Sequence, residues 1–506
     1  MAKVTIVHFD KLTSPRHDVY CTRYIQMFKF LFAVLKMTPV RCHSREMPSA
    51  FSARSRGQQF TACGLTVRNA RFHTARPSTV KPLFRSGPVC QAAMKESEPA
   101  TNGNGASQQE KFYSQFKDAT LSVHGGERLG RPRVSDCLAT PICQTSTYTF
   151  QNTEELIAYQ EGRYGSYEYG RYGNPTTRAA EEKIRIMEGA EDCLIAASGM
   201  NSATTMLLSL VPAGGHIVVT TDCYRRTRQF IQTVLPKMGI SATVIDPSDL
   251  KALEQALEEH ECALFFSESP TNPYLRCVDI PNIKALCEPK NCVVCIDSTF
   301  ATPVNQKALA LGADLVIHSA TKYMAGHNDV LGGVICGKPD LVQAVRSMHN
   351  VLGGVMDPHA AYLLLRGLKT LEIRVQRHNT TALEIAKRLE AHPKIVCVHY
   401  PGLESHPDHD IATSQMTGYG GVISYEVDGD LWKTAKHLDT MKLPYIAPSL
   451  GGVESLIEQP TVVSYWDQGP EKRAQLGIKD NLVRYSTGIE CVEDVWTDFE
   501  QSLALI

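Results

Sequence analysis

From Met47 to Lys95 the chain holds no aspartate or glutamate. Arg54, Arg56, Arg68, Arg71, Arg76, Lys81 and Arg85 stand there among serines and threonines, a composition that matches an organelle transit peptide, plastid or mitochondrial. Residues 1–46 fit it less well, because Asp10, Asp18 and Glu46 interrupt. An apolar run long enough for a bilayer is also missing: YIQMFKFLFAVLKM (24–37) is too short and carries two lysines. Nothing after it resembles a secretory cleavage site, and Met47 stands as an alternative start. Zinc-type Cys/His clusters are absent, which gives no metal site; the nearest pair, Cys292 and Cys295, encloses Val293 and Val294 of a strand-like run. Sixteen cysteines without regular spacing read as free thiols in a reducing compartment. A net charge of −1 gives no electrostatic reason for nucleic acid or an anionic membrane as partner.

What is present suits a soluble globular protein of two or three domains: 506 residues, 43% hydrophobic and 21% charged. ESEPATNGNGASQQE (96–110) is polar and reads as a linker. From about residue 176 helical and strand-like runs alternate. TTRAAEEKIRIMEGAE (176–191) is helix-periodic and stops at Gly189; HIVVTT (216–221), ATVIDP (242–247), ALFFSES (263–269), VVCIDST (293–299) and DLVIHSA (314–320) are short apolar runs with polar ends. That alternation predicts an α/β fold with a mostly parallel sheet covered on both faces, and ligands beyond the carboxyl ends of its strands. Ser198, Tyr224, Glu268, Asp297, Ser319, Thr321 and Lys322 gather at those ends. After about residue 366 a helical stretch (374–392) leads into GYGGVISYEVDGD (418–430), which alternates like a half-exposed antiparallel strand and predicts a smaller α+β domain. The expected division is 1–95 targeting extension, 96–112 linker, 113–175 N-terminal arm, 176–365 large domain and 366–506 C-terminal domain.

Lys322 follows an apolar strand, among small hydroxyl residues, glycine and histidine. A lysine at such a place is costly as a cation and useful as a neutral amine that condenses with a carbonyl. The run DLVIHSATKYMAGHN (314–328) resembles the lysine signature of the Cys/Met-metabolism family of pyridoxal-phosphate enzymes. The resemblance covers the chain from about residue 115 to its end, with several separated motifs in the same order. Within the family it is to the cystathionine γ-synthases of plants, which carry an organelle-targeting extension. It implies the aspartate-aminotransferase-like fold (fold type I), with pyridoxal 5'-phosphate as cofactor.

By that resemblance Lys322 binds the cofactor and moves substrate protons, and Asp297 pairs with the cofactor's ring nitrogen. Gly199 and Met200, in the strand-to-helix turn SGMNS (198–202), form its phosphate cup with Ser319 and Thr321. Alone, such a turn binds nothing in most proteins. Tyr224 stacks on the ring; taken alone, a core tyrosine is the more common explanation. Tyr169 and Arg171, in YGRYGNPT (169–176), reach a neighbouring subunit's cofactor phosphate, which implies a shared-site dimer and a homotetramer of two such dimers. Arg484 grips the substrate α-carboxylate with its planar fork, Asn272 helps beside it, and Glu454 and Ser455 lie on a substrate-facing loop.

The expected reaction is γ-replacement between an activated homoserine ester and L-cysteine, giving L-cystathionine for methionine biosynthesis. No aromatic residue stands near Glu454, which argues against cleavage at the β-carbon. Where bacterial relatives tend to carry glycines this chain has RRTR (225–228). Arg225, Arg226 or Arg228 adds charge suited to O-phosphohomoserine; a solvated helix start is the equal alternative. The competing activities are cystathionine γ-lyase and O-acylhomoserine sulfhydrylase, and outside catalysis a silent paralogue serving as partner subunit. The expected location is the plastid stroma, with mitochondrion or cytosol as alternatives.

Overall fold

The structure is a computed structural model and describes residues 113–126 and 137–506. The targeting extension over 1–95, the start at Met47, the apolar run at 24–37 and the linker at 96–112 lie outside the described residues. No helix of the described residues is long and apolar enough to cross a membrane.

Seven strands form the first sheet: β1 (Asp192–Ala196), β2 (His216–Thr220), β3 (Ser241–Ile245), β4 (Cys262–Glu268), β5 (Val293–Asp297), β6 (Leu315–His318) and β7 (Gly333–Gly337). Their order is β1-β7-β6-β5-β4-β2-β3. β7 is antiparallel to both β1 and β6, and every other pairing is parallel. All strands but β7 therefore end at one edge. Alternate residues feed opposite cores. Val218, Phe265, Val294, Ile296 and Val316 join one cluster, and Ile217, Val219, Leu264, Phe266, Cys295 and Ile317 the other. A strand buried on both faces reads as a continuous apolar run, which is why these segments were visible.

Helix α1 (Pro175–Glu188) starts where Asn174 accepts from the Thr176 amide at 2.8 Å, with proline at its first position. It ends at Gly189, whose φ of 69° only glycine adopts cheaply. Helices α2 (Gly199–Leu210) and α3 (Arg225–Thr233) begin just past the ends of β1 and β2. Their N-termini thus face the edge where β4, β5 and β6 end.

A second sheet comprises β8 (Ile395–His399), β9 (Val422–Val427), β10 (Tyr445–Ile446), β11 (Leu456–Glu458) and β12 (Leu482–Ser486), in the order β10-β11-β12-β9-β8. It is antiparallel except for the β10–β11 pair. Helices α4 (Leu371–Glu390) and α5 (Val492–Leu503) bury Val375, Ile385, Phe499 and Leu503 in one cluster with Ile423, Tyr425, Val483 and Tyr485. The strand expected to be half exposed is buried along all of Val422–Val427. Its polar positions are satisfied instead of solvated: Ser424 donates to the Pro273 carbonyl, and Glu426 binds Lys479 and His399.

Candidate active site

The turn after β6 is tied to its neighbour by the Ser319 amide, which donates to Thr299 Oγ1 at 2.8 Å. One turn later Lys322 Nζ lies 2.7 Å from Ser449 Oγ. Burial, then the nearby Arg484 cation, depress the lysine to about 8. Ser449 holds φ at 134°, a strained value for a residue with a Cβ. The backbone beyond Lys322 is clamped by Arg374 of α4, whose guanidinium is buried without a carboxylate. It donates to the carbonyls of Tyr323 at 2.7 Å and Gly367 at 2.8 Å, and burial lowers it to about 10.

Asp297 and Glu268 end adjacent strands as register partners. Thr299 supplies both hydrogen bonds of Asp297, amide and hydroxyl, to Oδ1 at 3.0 and 2.5 Å. Burial raises both carboxyls, and Asp297 raises that of Glu268 further. Glu268 accepts from the Tyr224 amide at the start of α3. The Tyr224 ring itself is half exposed.

Helix α2 presents its N-terminus to the same edge. Ser198 caps the Asn201 amide at 3.1 Å, which leaves the amides of Gly199 and Met200 at the helix's positive end. A Cβ on Gly199 would stand 2.9 Å from Ser319 Cβ, so only glycine lets the helix approach the Lys322 turn. Thr321 is committed elsewhere: its hydroxyl donates to the Gly332 carbonyl and accepts from the Gly332 amide.

Arg484 lies on β12 with 6% of its surface exposed. It donates to Asn272 Oδ1 at 3.2 Å and to the Ser449 carbonyl at 2.9 Å, and pairs with Glu458 Oε1 at 3.0 Å. Glu458 is its register partner on β11. Glu454 is exposed and accepts from Asn328 Nδ2 at 2.7 Å. Ser455 is buried; it donates to Glu490 and accepts from Tyr485 and the Gly488 amide, which makes it a structural node. Of the three arginines of α3, Arg225 pairs with Asp467 at 3.1 Å and Arg228 binds the Thr221 carbonyl. Arg226 is exposed, with Gln229 as its hydrogen-bond partner.

Tyr169 and Arg171 stand apart. The Arg171 guanidinium carbon lies 5.1 Å from the ring centres of both Tyr169 and Tyr172. Among the described residues, none of their hydrogen bonds, ion pairs or ring contacts reaches Lys322, Asp297 or Arg484. Sequence reasoning missed Ser449, Glu458, Thr299 and the buried His318–Glu188 pair. Only strand register could have pointed to Glu458, because it requires knowing what faces Arg484.

The residues fit pyridoxal phosphate: a half-buried amine of lowered basicity, a half-buried carboxylate whose hydrogen bonds from Thr299 both fall on one oxygen, and a glycine-lined helix end for the phosphate. The fold and this donor set define a pyridoxal-phosphate enzyme of fold type I. The chain belongs to the Cys/Met metabolism PLP-dependent enzymes, whose family profile matches residues 119–504. It is 60% identical over 393 residues to a chloroplastic cystathionine γ-synthase of Nicotiana tabacum, covering 77% of this chain and 73% of that one. The corresponding protein of Arabidopsis thaliana is 59% identical, covering 77% and 69%. The crystal structure of cystathionine γ-synthase from Xanthomonas oryzae pv. oryzae, in complex with aminoacrylate and cysteine, superimposes with a TM-score of 0.72 at 33% identity, covering 77% of this chain and 98% of that one.

A pH dependence follows from Lys322. Only the neutral amine attacks a carbonyl, and the residue loses its proton near pH 8. Capture of pyridoxal phosphate by cofactor-free protein should accelerate as pH rises from 6 and level off above about 8, where a free lysine would level off near about 10.4. Stopped-flow absorbance measures this directly, and a plateau only above pH 10 would contradict it.

Proposed function

We propose that this chain joins O-phosphohomoserine to L-cysteine, releasing phosphate and giving L-cystathionine. The observation that carries the reading is that Lys322 and Arg484 meet at Ser449 while Thr299 ties Asp297 to the turn that bears Lys322; the naming of its plant relatives as cystathionine γ-synthases supports the direction. When bound, pyridoxal phosphate supplies an electron sink for charge that develops at the substrate's α-carbon. Lys322 would hold it covalently, Asp297 would meet its ring nitrogen, Tyr224 would stack on its ring, and Gly199, Met200 and Ser319 would take its phosphate. Arg484, with Asn272, fixes the substrate's α-carboxylate and so sets which α-bond is labile. Lys322 Nζ then removes the proton from the α-carbon, passes it to the bound cofactor and, neutral again, removes one from the β-carbon. Its proximity to Ser449 keeps it pointed there between steps. Loss of the γ-phosphate and addition of the cysteine sulfur at the γ-carbon follow, and Lys322 returns both protons.

Arg226 is the arginine of its helix with neither a carboxylate nor a backbone carbonyl to hold, which assigns it to the γ-phosphate. Arg226→Gln should raise KM for O-phosphohomoserine by about tenfold, the worth of one charge-assisted contact, and leave a succinyl ester unaffected. Equal changes for both esters would remove the assignment. Tyr169 and Arg171 serve a neighbouring copy's site in a homotetramer, and the segment before about residue 96 directs the chain to plastids, as the naming of the relatives suggests.

The full-length protein, loaded with pyridoxal phosphate, is given O-phosphohomoserine with and without cysteine. Cystathionine as the main product, with little 2-oxobutanoate, is the expected result. If cystathionine is instead consumed to cysteine and 2-oxobutanoate and none is made, the chain is a γ-lyase.

A further inference from the structure

Glu458 is a buried acid beside the substrate arginine that the proposed reaction leaves without a task. It stands on β11 directly opposite Arg484 of β12, and Arg484 stands opposite Ser424 of β9, so the three side chains share one face of the second sheet. On that face Arg484 donates to Asn272 and Ser424 donates to the Pro273 carbonyl. Ser449 joins the row to Lys322. The Arg484 Nη2 that meets Glu458 Oε1 at 3.0 Å also donates to the Ser449 carbonyl, and the Ser449 hydroxyl lies 2.7 Å from Lys322 Nζ. Glu458 is 2% exposed, and its Oε2 has no hydrogen-bond partner among the described residues. A buried carboxylate oxygen left open costs stability unless something is to occupy it. Arg484 meanwhile keeps donors for a second acid: its Nε is unpartnered among the described residues, and Nη1 bonds Asn272. Two carboxylates on one guanidinium repel, and the repulsion falls if one of them takes a proton. A proton arrives with the substrate. Its α-ammonium sits one carbon from its α-carboxylate, and must become a neutral amine before it can displace Lys322 from the cofactor.

We propose that Glu458 is a catalytic base for substrate entry: its open Oε2 takes a proton from the α-ammonium of the amino acid whose carboxylate Arg484 holds. The N–H bond breaks and the O–H bond forms. The neutral amine is left to attack at Lys322, and the uncharged carboxyl no longer opposes the substrate's carboxylate. The inference rests on the reading in which Arg484 receives that carboxylate. Burial raises the Glu458 carboxyl, while the Arg484 and Lys322 cations oppose the rise. The other ionisable groups around the row are committed elsewhere. Glu426, opposite Leu482 on the same sheet face, binds Lys479 and His399. Glu454 and Glu490 accept from Asn328 and Ser455. Tyr323, next to Lys322, is a phenol pushed up by burial that accepts from the Gly421 amide, and Tyr445 of β10 is exposed.

The test uses the full chain loaded with pyridoxal phosphate and 4-(methylthio)butanoate, a monocarboxylate with no α-amine and no group that titrates near neutrality. Titration calorimetry at pH 7, in buffers of different ionisation enthalpy, counts the protons that binding takes up. The parent should take up about one proton per acid bound, because Glu458 must draw it from solvent when the ligand brings none. No uptake by the parent, a result that needs no variant, would overturn the proposal. Glu458→Gln should take up none and bind the acid about tenfold more tightly, the scale of removing a like charge from the same guanidinium. In stopped-flow absorbance that variant should react with O-phosphohomoserine about 100-fold more slowly than the parent at pH 7, the low end of what a positioned base contributes. The deficit should close as pH approaches the range where the substrate's own amine loses its proton. A deficit of one size at every pH, with acid affinity unchanged, would make Glu458 a structural counter-ion and end the proposal. Arg484→Lys is measured beside it. If the acid does not bind the parent, or binds Arg484→Lys equally well, the underlying reading of Arg484 has failed. If Arg484→Lys weakens the acid while the parent takes up no proton, only the role of Glu458 falls.

Discussion

Lys322→Ala is expected to lower cystathionine formation by about 10⁴-fold or more, because a positioned acid–base group contributes about 10²–10⁴ and the covalent hold on the cofactor is lost with it. At about 1.4 kcal/mol per decade this is more than about 5 kcal/mol of barrier, beyond what any other single contact in the cleft supplies. The loss should not be a folding defect. Lys322 is depressed to about 8 in the folded chain, so its buried charge costs stability at every pH below that value. The cost disappears as pH rises from about 8 to about 10.4, where the unfolded chain also releases the proton. The cofactor-free variant should therefore melt no lower than the parent at pH 7. Borohydride reduction followed by mass measurement should add the cofactor's mass to the parent and nothing to the variant. Substantial residual turnover, or a strongly destabilised variant, would mean that Lys322 is structural.

The parts of this site that follow from local sequence are those whose physics is local. β4, β5 and β6 are short apolar runs with polar ends because they are buried on both faces, and that pattern places Glu268, Asp297 and Lys322 at one sheet edge. The turn at Gly199 is likewise local, since a helix start after an apolar strand needs only a few residues to declare itself. β7 escaped notice because Gly333 and Gly337 bound a run of three apolar residues, too little to separate from a loop. β9 was misjudged because Ser424 and Glu426 imitate a solvent face, yet they are met by the Pro273 carbonyl and by Lys479 and His399. Partners distant in the chain were out of reach altogether. Glu188 and His318 are 130 residues apart, and Ser449 comes 127 residues after the lysine it holds. No periodicity encodes such pairs; they exist only once both sheets are in place.

Arg484→Lys tests the longest-range of these arrangements and should reduce kcat/KM by about 10²–10³-fold, or about 3–4 kcal/mol, the range for breaking a buried hydrogen-bonded charge pair. The charge is conserved, so a purely Coulombic site would tolerate the exchange. The guanidinium, however, serves Asn272, the Ser449 carbonyl and Glu458 at once. A lysine ammonium on a shorter stem cannot span all three while receiving a carboxylate. The defect should fall on KM and on kcat together, because in the proposed reaction the same guanidinium would bind the substrate and set the angle of its labile bond. A substrate amide, which has no α-carboxylate, should lose far less, and equal losses for acid and amide would show the arginine to be structural only. Glu458 supplies a second readout. Burial raises its carboxyl and Arg484 opposes that rise, so weakening the partner raises it further. A raised carboxyl stabilises the fold below its unfolded value of about 4.3 and loses that advantage as pH climbs through the folded one. The melting temperature of Arg484→Lys should therefore approach the parent's near pH 5 and fall below it at pH 8. A deficit that does not change with pH would show that Glu458 does not depend on the arginine for its charge.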